Sequence, residues 1–127
     1  MFEQDWIMRQ IHEMSKVIAR VMFNAEVQST VAELPQEKRD LADDLISRLK
    51  CGRVRETVDE VNRLADDNSR DNLIIGLEFY SALSELDEDI LEAEGYSLTD
   101  AQNDFEVFAG KFGLQQMTDL YSGNYGY

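Results

Sequence analysis

The residues that most often perform catalysis or bind metals are few in this sequence. His12 is the single histidine, and His12-Glu13 begins like the helix of a zinc protease, in which a second histidine follows four residues later. Lys16 occupies that position, and Arg9 stands where a di-iron helix needs a glutamate three residues before its histidine. We therefore interpret His12 as a surface residue and predict no metal ligand.

Two nucleophilic side chains also lack the surroundings that catalysis needs. Ser97 lies in Gly95-Tyr96-Ser97-Leu98-Thr99, which resembles a nucleophile elbow but has neither the final glycine nor a preceding strand. Asp100 follows three residues after Ser97, so this spacing favours a helix cap. Cys51 stands at a predicted helix end with no partner for a catalytic dyad. No catalytic residue is predicted, and we do not expect an enzyme.

Carboxylates are concentrated between Asp87 and Glu94, where calcium binding would be the obvious chemistry. A calcium loop needs ligands at alternating positions, a central glycine and a terminal glutamate, and this stretch does not provide that order. The sequence also lacks a glycine-rich phosphate loop and a dinucleotide-binding fingerprint. No cofactor is predicted, and a metal protein or an enzyme is the least favoured alternative.

The net charge of −14 is distributed unevenly along the chain. Residues 1–70 carry 14 acidic and 11 basic residues, whereas residues 71–127 carry 12 acidic residues and one basic residue, Lys111. Such an acidic half repels nucleic-acid phosphates and anionic lipids, so nucleic acid is not an expected partner and a membrane is disfavoured. A basic partner and a simple solvated face remain as alternatives for this half.

The elements that position these residues are predicted to be helices. The sequence has one proline and seven glycines, and no segment shows the alternation of a strand. We predict an all-α fold of about five to six helices in antiparallel hairpins, a tetratricopeptide-like, right-handed helical array. Apolar residues recur at helical spacing over about 3–23, 36–51, 53–67, 71–86 and 98–112.

Local signals predict how these helices are connected. A break near Asn24 and a short helix or loop to Leu34 follow the first helix, and the short link at Gly52 predicts a helical hairpin. Residues 114–127 add one helical turn in this prediction. We expect residues 1–127 to form a single helical domain in which residues 113–127 are a partly flexible tail.

The first helix is predicted to carry a basic stripe opposite a broad apolar arc. Arg9, Lys16 and Arg20 line the polar side, and we expect them to pair with the acidic half of the chain, within one copy or between two. The apolar arc favours core packing or self-association, and a membrane-surface helix is the alternative because Phe2 and Trp6 lie near its start. The arc consists of Trp6, Ile7, Ile11, Met14, Val17, Ile18, Val21 and Met22.

Three features together predict a soluble, cytoplasmic protein. The start, Met1-Phe2-Glu3-Gln4-Asp5, has acidic residues where a signal peptide needs basic ones. Charged residues interrupt every apolar run, which argues against a membrane span. Cys51, the single cysteine, cannot form an internal disulfide and fits a reducing compartment.

The opening Gln4-Asp5-Trp6-Ile7-Met8-Arg9-Gln10-Ile11 resembles that of an uncharacterised family of short bacterial all-helical proteins. Members of that family begin with Gln-Asp, an aromatic residue and Ile-Met-Arg, and continue into degenerate tetratricopeptide-like hairpins. Ile75-Gly76 followed by Phe79 is similar to the core of a tetratricopeptide helix. Gly52 and Gly95 begin two repeat-like stretches 43 residues apart, longer than a true repeat. The resemblance implies a fold and implies no activity.

The sequence therefore favours a non-catalytic protein–protein interaction or scaffold module. Repeat-like hairpins without a catalytic constellation are typical of such modules. The expected partner is another protein or a second copy of the chain, so a homo-oligomer is included in the prediction. A peripheral membrane protein that uses the first helix is the alternative.

Overall fold

The structure of this protein is a computed structural model that describes residues 2–118, with side chains from residue 6 onward. The all-α prediction is confirmed, although the described residues form eight helices rather than five or six. Residues 119–127, which hold most of the predicted flexible tail, lie outside the described residues. The helices are α1 (Phe2–Phe23), α2 (Val27–Ala32), α3 (Gln36–Lys50), α4 (Val54–Leu64), α5 (Arg70–Leu83), α6 (Glu88–Ala93), α7 (Leu98–Lys111) and α8 (Gln115–Thr118).

The first helix ends where its apolar pattern would have rotated out of the core. Asn24 has a φ of 53°, a left-handed conformation that asparagine tolerates better than most residues. The chain then turns into α2, which buries Val27 and Thr30, and Leu34 is buried just before Pro35. The predicted break near Asn24 is therefore confirmed, and the segment that follows it contains a short helix.

The hairpin of α3 and α4 forms around Gly52, whose φ is 99°. This left-handed residue lets the chain reverse between the two helices, as the sequence predicted. Leu45 and Leu49 on α3 are buried, as are Val54 and Val58 on α4. Apolar packing therefore holds one side of the hairpin, and ion pairs of Arg48 span its solvent side.

Helix α5 is the centre of the molecule and packs against α1, α2, α3 and α4. Ser69 accepts a hydrogen bond from the backbone N–H of Asn72 and so caps the helix. The amide of Asn72 donates to the carbonyl oxygens of Leu64 and Asp67, which fixes the preceding loop. The tetratricopeptide-like array stays a prediction. Within the described residues, α5 contacts α7 through Tyr80 as well as these four helices, whereas repeat units mainly contact their neighbours.

The acidic segment before α7 differs from expectation because it contains the short helix α6. Leu91 is buried and Ile90 packs against the core, so an apolar edge anchors this highly charged turn. Its acidic residues Glu88 and Asp89 lie in the first turn, where the helix dipole favours negative charge. No helix was predicted between residues 86 and 98.

Helix α7 begins as predicted at Ser97. The side chain of Ser97 accepts from the backbone N–H of Asp100, and the carboxylate of Asp100 accepts from the backbone N–H of Ser97. Together these bonds form a capping box. Phe105 and Phe108 pack against Tyr80 of α5, with ring centroids 5.2 Å and 5.3 Å from that of Tyr80. The helix thereby closes one side of the core.

Candidate functional site

The apolar arc of α1 is divided between the core and the surface. Ile11 and Ile18 are buried, as expected for core packing. Trp6 and Val21, in contrast, are 45% and 64% exposed. The apolar arc is therefore wider than the surface that the neighbouring helices cover.

Three residues of the uncovered part lie on one line along α1. At 100° per residue, Trp6, Val17 and Val21 fall within an arc of about 60°. Val17 is half-buried and the other two are exposed. We call Trp6, Val17 and Val21 the apolar strip. An apolar surface of this kind on a water-exposed helix is a common feature of protein-docking sites.

The predicted basic stripe, Arg9, Lys16 and Arg20, lies exposed beside the apolar strip. Lys16 forms a 3.8 Å ion pair with Glu13 of the same helix. Arg9 and Arg20 form no ion pair with any residue in the described range. Arg9 and Glu85 line the same shallow hollow, but no ion pair joins them. Pairing of the stripe with the acidic half stays a prediction.

Part of the basic stripe also lines a cleft between α1, α2 and α5. His12, Lys16 and Arg20 lie four residues apart on one side of α1, and they form one wall of this cleft. Ser81 of α5 faces them, with its Oγ 3.2 Å from Nδ1 of His12. The cleft has a volume of about 230 Å³, and Glu26, which directly precedes α2, adds an acidic group to its lining. We call this the basic cleft.

Sequence reasoning missed Ser81 as a member of this group. It lies 69 positions from His12, and helical spacing within one segment carries no signal for such a contact. The periodicity of α1 alone indicated that His12 flanks the basic stripe.

The acidic half presents carboxylates on the surface around α6. Their exposed side chains make no ion pair within the described part of the chain. Within that same part, no group of three histidine, cysteine or acidic side chains is placed to hold a metal ion. We call these residues the acidic corner: Glu85, Asp87, Glu88, Asp89 and Glu92.

A polar network at the start of α7 fixes the loop before it. Tyr96 donates a 2.7 Å hydrogen bond to the carboxylate of Asp104, and burial together with this bond raises the pKa of the Tyr96 hydroxyl. Burial also raises the pKa of Asp104. Arg55 of α4 donates to the carbonyl oxygens of Glu94 and Gly95. These contacts hold α4 and α7 together and have no local signal in the sequence.

Glu78 is the one acidic residue placed on the inner part of α5. It is half-buried, and its Oε1 is buried without a hydrogen bond. Burial raises the pKa of Glu78, and the nearby charge of Asp43 raises it further while Lys50 lowers it. Such a carboxyl is more easily protonated than one in water.

The two nucleophilic residues considered from the sequence lie far from a catalytic arrangement. Ser97 uses its hydroxyl oxygen to cap α7. Cys51 is a free, exposed thiol at the end of α3. Across the described helices, none has both the length and the apolar character needed to cross a bilayer.

Comparison with known protein families gives a match over most of the chain. Residues 1–113 match the model of a family described as a family of unknown function, DUF6483. No curated protein and no solved structure is significantly similar to the chain. The match includes the opening from Gln4 to Ile11 that resembled an uncharacterised family. Because it covers far more than half of the 127 residues, the chain belongs to this family of unknown function.

Proposed function

We propose that this chain is a non-catalytic protein-interaction module that binds a second copy of itself through the outer face of α1. One observation carries the proposal. Trp6 and Val21 are exposed beside Arg9 and Arg20, two cations that form no ion pair within the described residues. An exposed apolar strip with adjacent unpaired charge fits a surface that another protein covers.

The apolar strip supports the proposal because tryptophan contributes strongly to binding. A tryptophan side chain buries about 150–250 Å² when it is covered, and such residues often dominate the binding energy of an interface. Trp6 and Val21 are already held on a regular helix, so little conformational entropy is lost when they dock. The strip therefore offers an ordered anchor.

Charge complementarity supports a second copy of the chain as the partner. The chain has a net charge of −14, so most of its surface repels another copy, and the basic stripe is the part of α1 that attracts one. The acidic corner supplies the matching charge. Arg9 and Glu85 line the same hollow, so positive and negative groups lie side by side on this surface. A surface with both signs suits a two-fold contact, in which each copy presents the same patch.

Analytical ultracentrifugation tests this function. The wild-type chain has a mass of 14.6 kDa and is expected to sediment with twice that mass as its concentration rises. The variant Trp6→Ser/Val21→Ser is expected to dissociate at least about tenfold more readily, because it loses the apolar anchor. A wild-type chain that stays monomeric at its highest soluble concentration would overturn the proposal.

Two control variants test whether dimerisation depends on this surface. One removes an exposed apolar residue elsewhere, and the other makes an equal change of net charge elsewhere. Val107→Ser removes an exposed valine of α7, 52% accessible, and is expected to leave the dimer intact. Arg9→Glu/Lys16→Glu/Arg20→Glu is expected to be monomeric. Its control, Lys50→Glu/Arg53→Glu/Arg63→Glu, makes the same charge change on α3, α4 and the link between them, and is expected to stay dimeric.

The exposure of Trp6 beside basic residues also favours a second candidate function, binding to a membrane surface. Tryptophan and basic residues on one helix face are typical of helices that lie in the lipid interface. Flotation with anionic phospholipid vesicles tests it. Co-flotation of the wild-type chain that Trp6→Ser abolishes would support membrane binding. If the wild-type chain does not co-float, the protein-interaction module is the function that remains. The net charge of −14 opposes attraction to such vesicles.

Several finer expectations stay predictions under this proposal. The tetratricopeptide-like arrangement would best fit the hairpin of α3 and α4, which turns at Gly52. A bacterial origin rests on the resemblance of the opening residues. A cytoplasmic location would suit the exposed free thiol of Cys51, because such a thiol persists in a reducing compartment.

A further inference from the structure

We infer that the basic cleft between α1, α2 and α5 is a binding site for the phosphate group of a small molecule. The cleft is distinct from the apolar strip. Phosphate binding needs a concave surface with positive charge, whereas the strip offers apolar side chains. Lys16 and Arg20 supply two cations on its α1 wall, and His12 lies beside them. This function goes beyond self-association, and it shares Lys16 and Arg20 with the basic stripe of the proposed dimer.

The first support is the geometry of the α1 wall. His12, Lys16 and Arg20 are spaced by four residues, so they follow one another along one side of the helix over about 12 Å at 1.5 Å per residue. Lys16 has only its 3.8 Å pair with the exposed Glu13, a weak interaction that a stronger anion can replace. Arg20 has no ion pair in the described range. Two cationic groups are therefore available to a ligand.

The second support is Ser81 of α5, which supplies a neutral hydrogen-bonding group beside His12. Ser81 lies on the central helix α5, and its hydroxyl contacts Nδ1 of His12 at 3.2 Å. This contact holds the imidazole ring at the cleft, and Nε2 makes no hydrogen bond with a described residue. A guanidinium, an ammonium and polar neutral groups on two facing walls form a set that suits phosphate oxygens.

The choice of phosphate follows from the charges present. Glu26 lies at the rim and reduces the attraction of the cleft for any anion. A phosphate group carries about −1.5 to −2 at neutral pH, so it gains more from Lys16 and Arg20 than a single carboxylate does. A concave wall of low dielectric also concentrates the field of these cations. The volume of about 230 Å³ admits a phosphate with a small organic group.

The test is a titration of the ¹⁵N-labelled chain with inorganic phosphate, followed by nuclear magnetic resonance at constant ionic strength in chloride. Saturable shifts are expected at the amides of His12, Lys16, Arg20 and Ser81. Lys16→Gln/Arg20→Gln is expected to lose detectable binding, and Arg20→Gln alone to weaken it at least about tenfold. Shifts that never saturate, or that spread evenly over the surface, would overturn the site.

Matched variants distinguish a built site from charge alone. Arg63→Gln removes an exposed arginine from α4 and is expected to bind phosphate as the wild type does. Ser81→Ala keeps the net charge and is expected to weaken binding several-fold, because it removes a hydrogen bond from the facing wall. Equal losses in Arg63→Gln and Arg20→Gln, or full binding by Ser81→Ala, would contradict the site.

Further probes identify the source of the phosphate and separate this site from the proposed dimer. Glycerol phosphate is expected to compete with inorganic phosphate. If glycerol phosphate binds more tightly than inorganic phosphate, the ligand is a phosphate ester. Succinate of equal affinity would overturn the assignment to phosphate. Trp6→Ser/Val21→Ser, which loses the apolar strip but keeps Lys16 and Arg20, is expected to bind phosphate at least as tightly as the wild type. The site can therefore fail while the dimer stands, and the dimer can fail while the site stands.

Discussion

The ring of Phe108 on α7 lies against the backbone of Gly76 on α5, in the space that a side chain at position 76 would occupy. A Cβ atom at Gly76 would overlap the ring carbons Cζ and Cε1 of Phe108. Phe108 is fully buried and also packs against Tyr80 and Phe112. The glycine is therefore required by the close approach of a ring to the central helix, while its backbone stays helical.

Gly76→Ala is expected to destabilise the protein by about 2 kcal/mol, because the buried ring of Phe108 cannot move aside without disturbing its neighbours. A loss of stability would be informative, because alanine in an open helix position is usually favoured over glycine by about 1 kcal/mol. Urea denaturation followed by circular dichroism measures the free energy of unfolding.

Gly110→Ala on α7 is the matched control for this prediction. A Cβ at Gly110 meets the flexible side chain of Gln115, at 3.2 Å from Nε2, rather than a fixed ring. This variant is expected to be as stable as the wild type or slightly more so. Gly76→Ala would contradict the packing if it were no less stable than Gly110→Ala.

Tyr80→Phe is expected to lower the free energy of unfolding by about 1–2 kcal/mol, because it leaves a partly buried amide oxygen unpaired. The Tyr80 hydroxyl donates a 2.8 Å hydrogen bond to Oδ1 of Asn62 on α4. Asn62 in turn donates to the carbonyl oxygen of Asp104 on α7. A double-mutant cycle with Asn62→Ala measures the pair directly. Strictly additive losses would show that the two residues are not coupled.

Helix boundaries in this chain could be predicted wherever a local signal marks them. Gly52 ends α3 because glycine adopts a left-handed conformation at no steric cost. Ser97 and Asp100 start α7 because their spacing forms a capping box. Each signal acts between residues at most a few positions apart. These helix boundaries can therefore be predicted from the sequence without knowledge of any tertiary contact.

The candidate surfaces depend on contacts between distant residues and were only partly predictable. The periodicity of α1 placed Trp6 and Ile11 on one apolar arc, but it could not show that the neighbouring helices cover Ile11 and leave Trp6 exposed. The basic stripe was found from spacing alone. The cleft needs Ser81 of α5 opposite His12, which only the packing of α1 on α5 establishes.

Glu78→Gln is expected to stabilise the protein at neutral pH and to lose that advantage in acid. Burial raises the pKa of Glu78 in the folded state above its ordinary value of 4.5. The contribution of the protonated carboxyl to stability is therefore full below about pH 4.5 and is lost as the pH rises through the folded pKa. Glutamine imitates the protonated form at every pH. Urea denaturation of both proteins between pH 4 and pH 7 measures this difference.

Glu85→Gln provides the comparison for this pH dependence. Glu85 lies just after the end of α5 and is exposed to solvent. Its replacement is expected to change stability little at either end of the pH range. A stability difference between Glu78→Gln and wild type that did not grow from pH 4 to pH 7 would argue against burial of this carboxyl.

Arg48→Gln is expected to destabilise the protein by about 2 kcal/mol, because one guanidinium pairs with a carboxylate of α3 and with two carboxylates of α4. Arg48 contacts Asp44 and Glu56 at 2.9 Å and Glu60 at 3.0 Å. Hydrogen bonds with Glu60 and Glu56 raise the pKa of the guanidinium.

The Arg48 prediction can be checked by its salt dependence and by a neighbouring arginine. Without Arg48, the repulsion among Asp44, Glu56 and Glu60 remains, and salt screens it, so the deficit in unfolding free energy is expected to shrink as salt is added. Arg53 makes only a 3.5 Å pair with Glu56 and is largely exposed, so Arg53→Gln is expected to cost less than about 0.5 kcal/mol. Equal losses for the two variants in urea denaturation would mean that the hairpin is held by its apolar side alone.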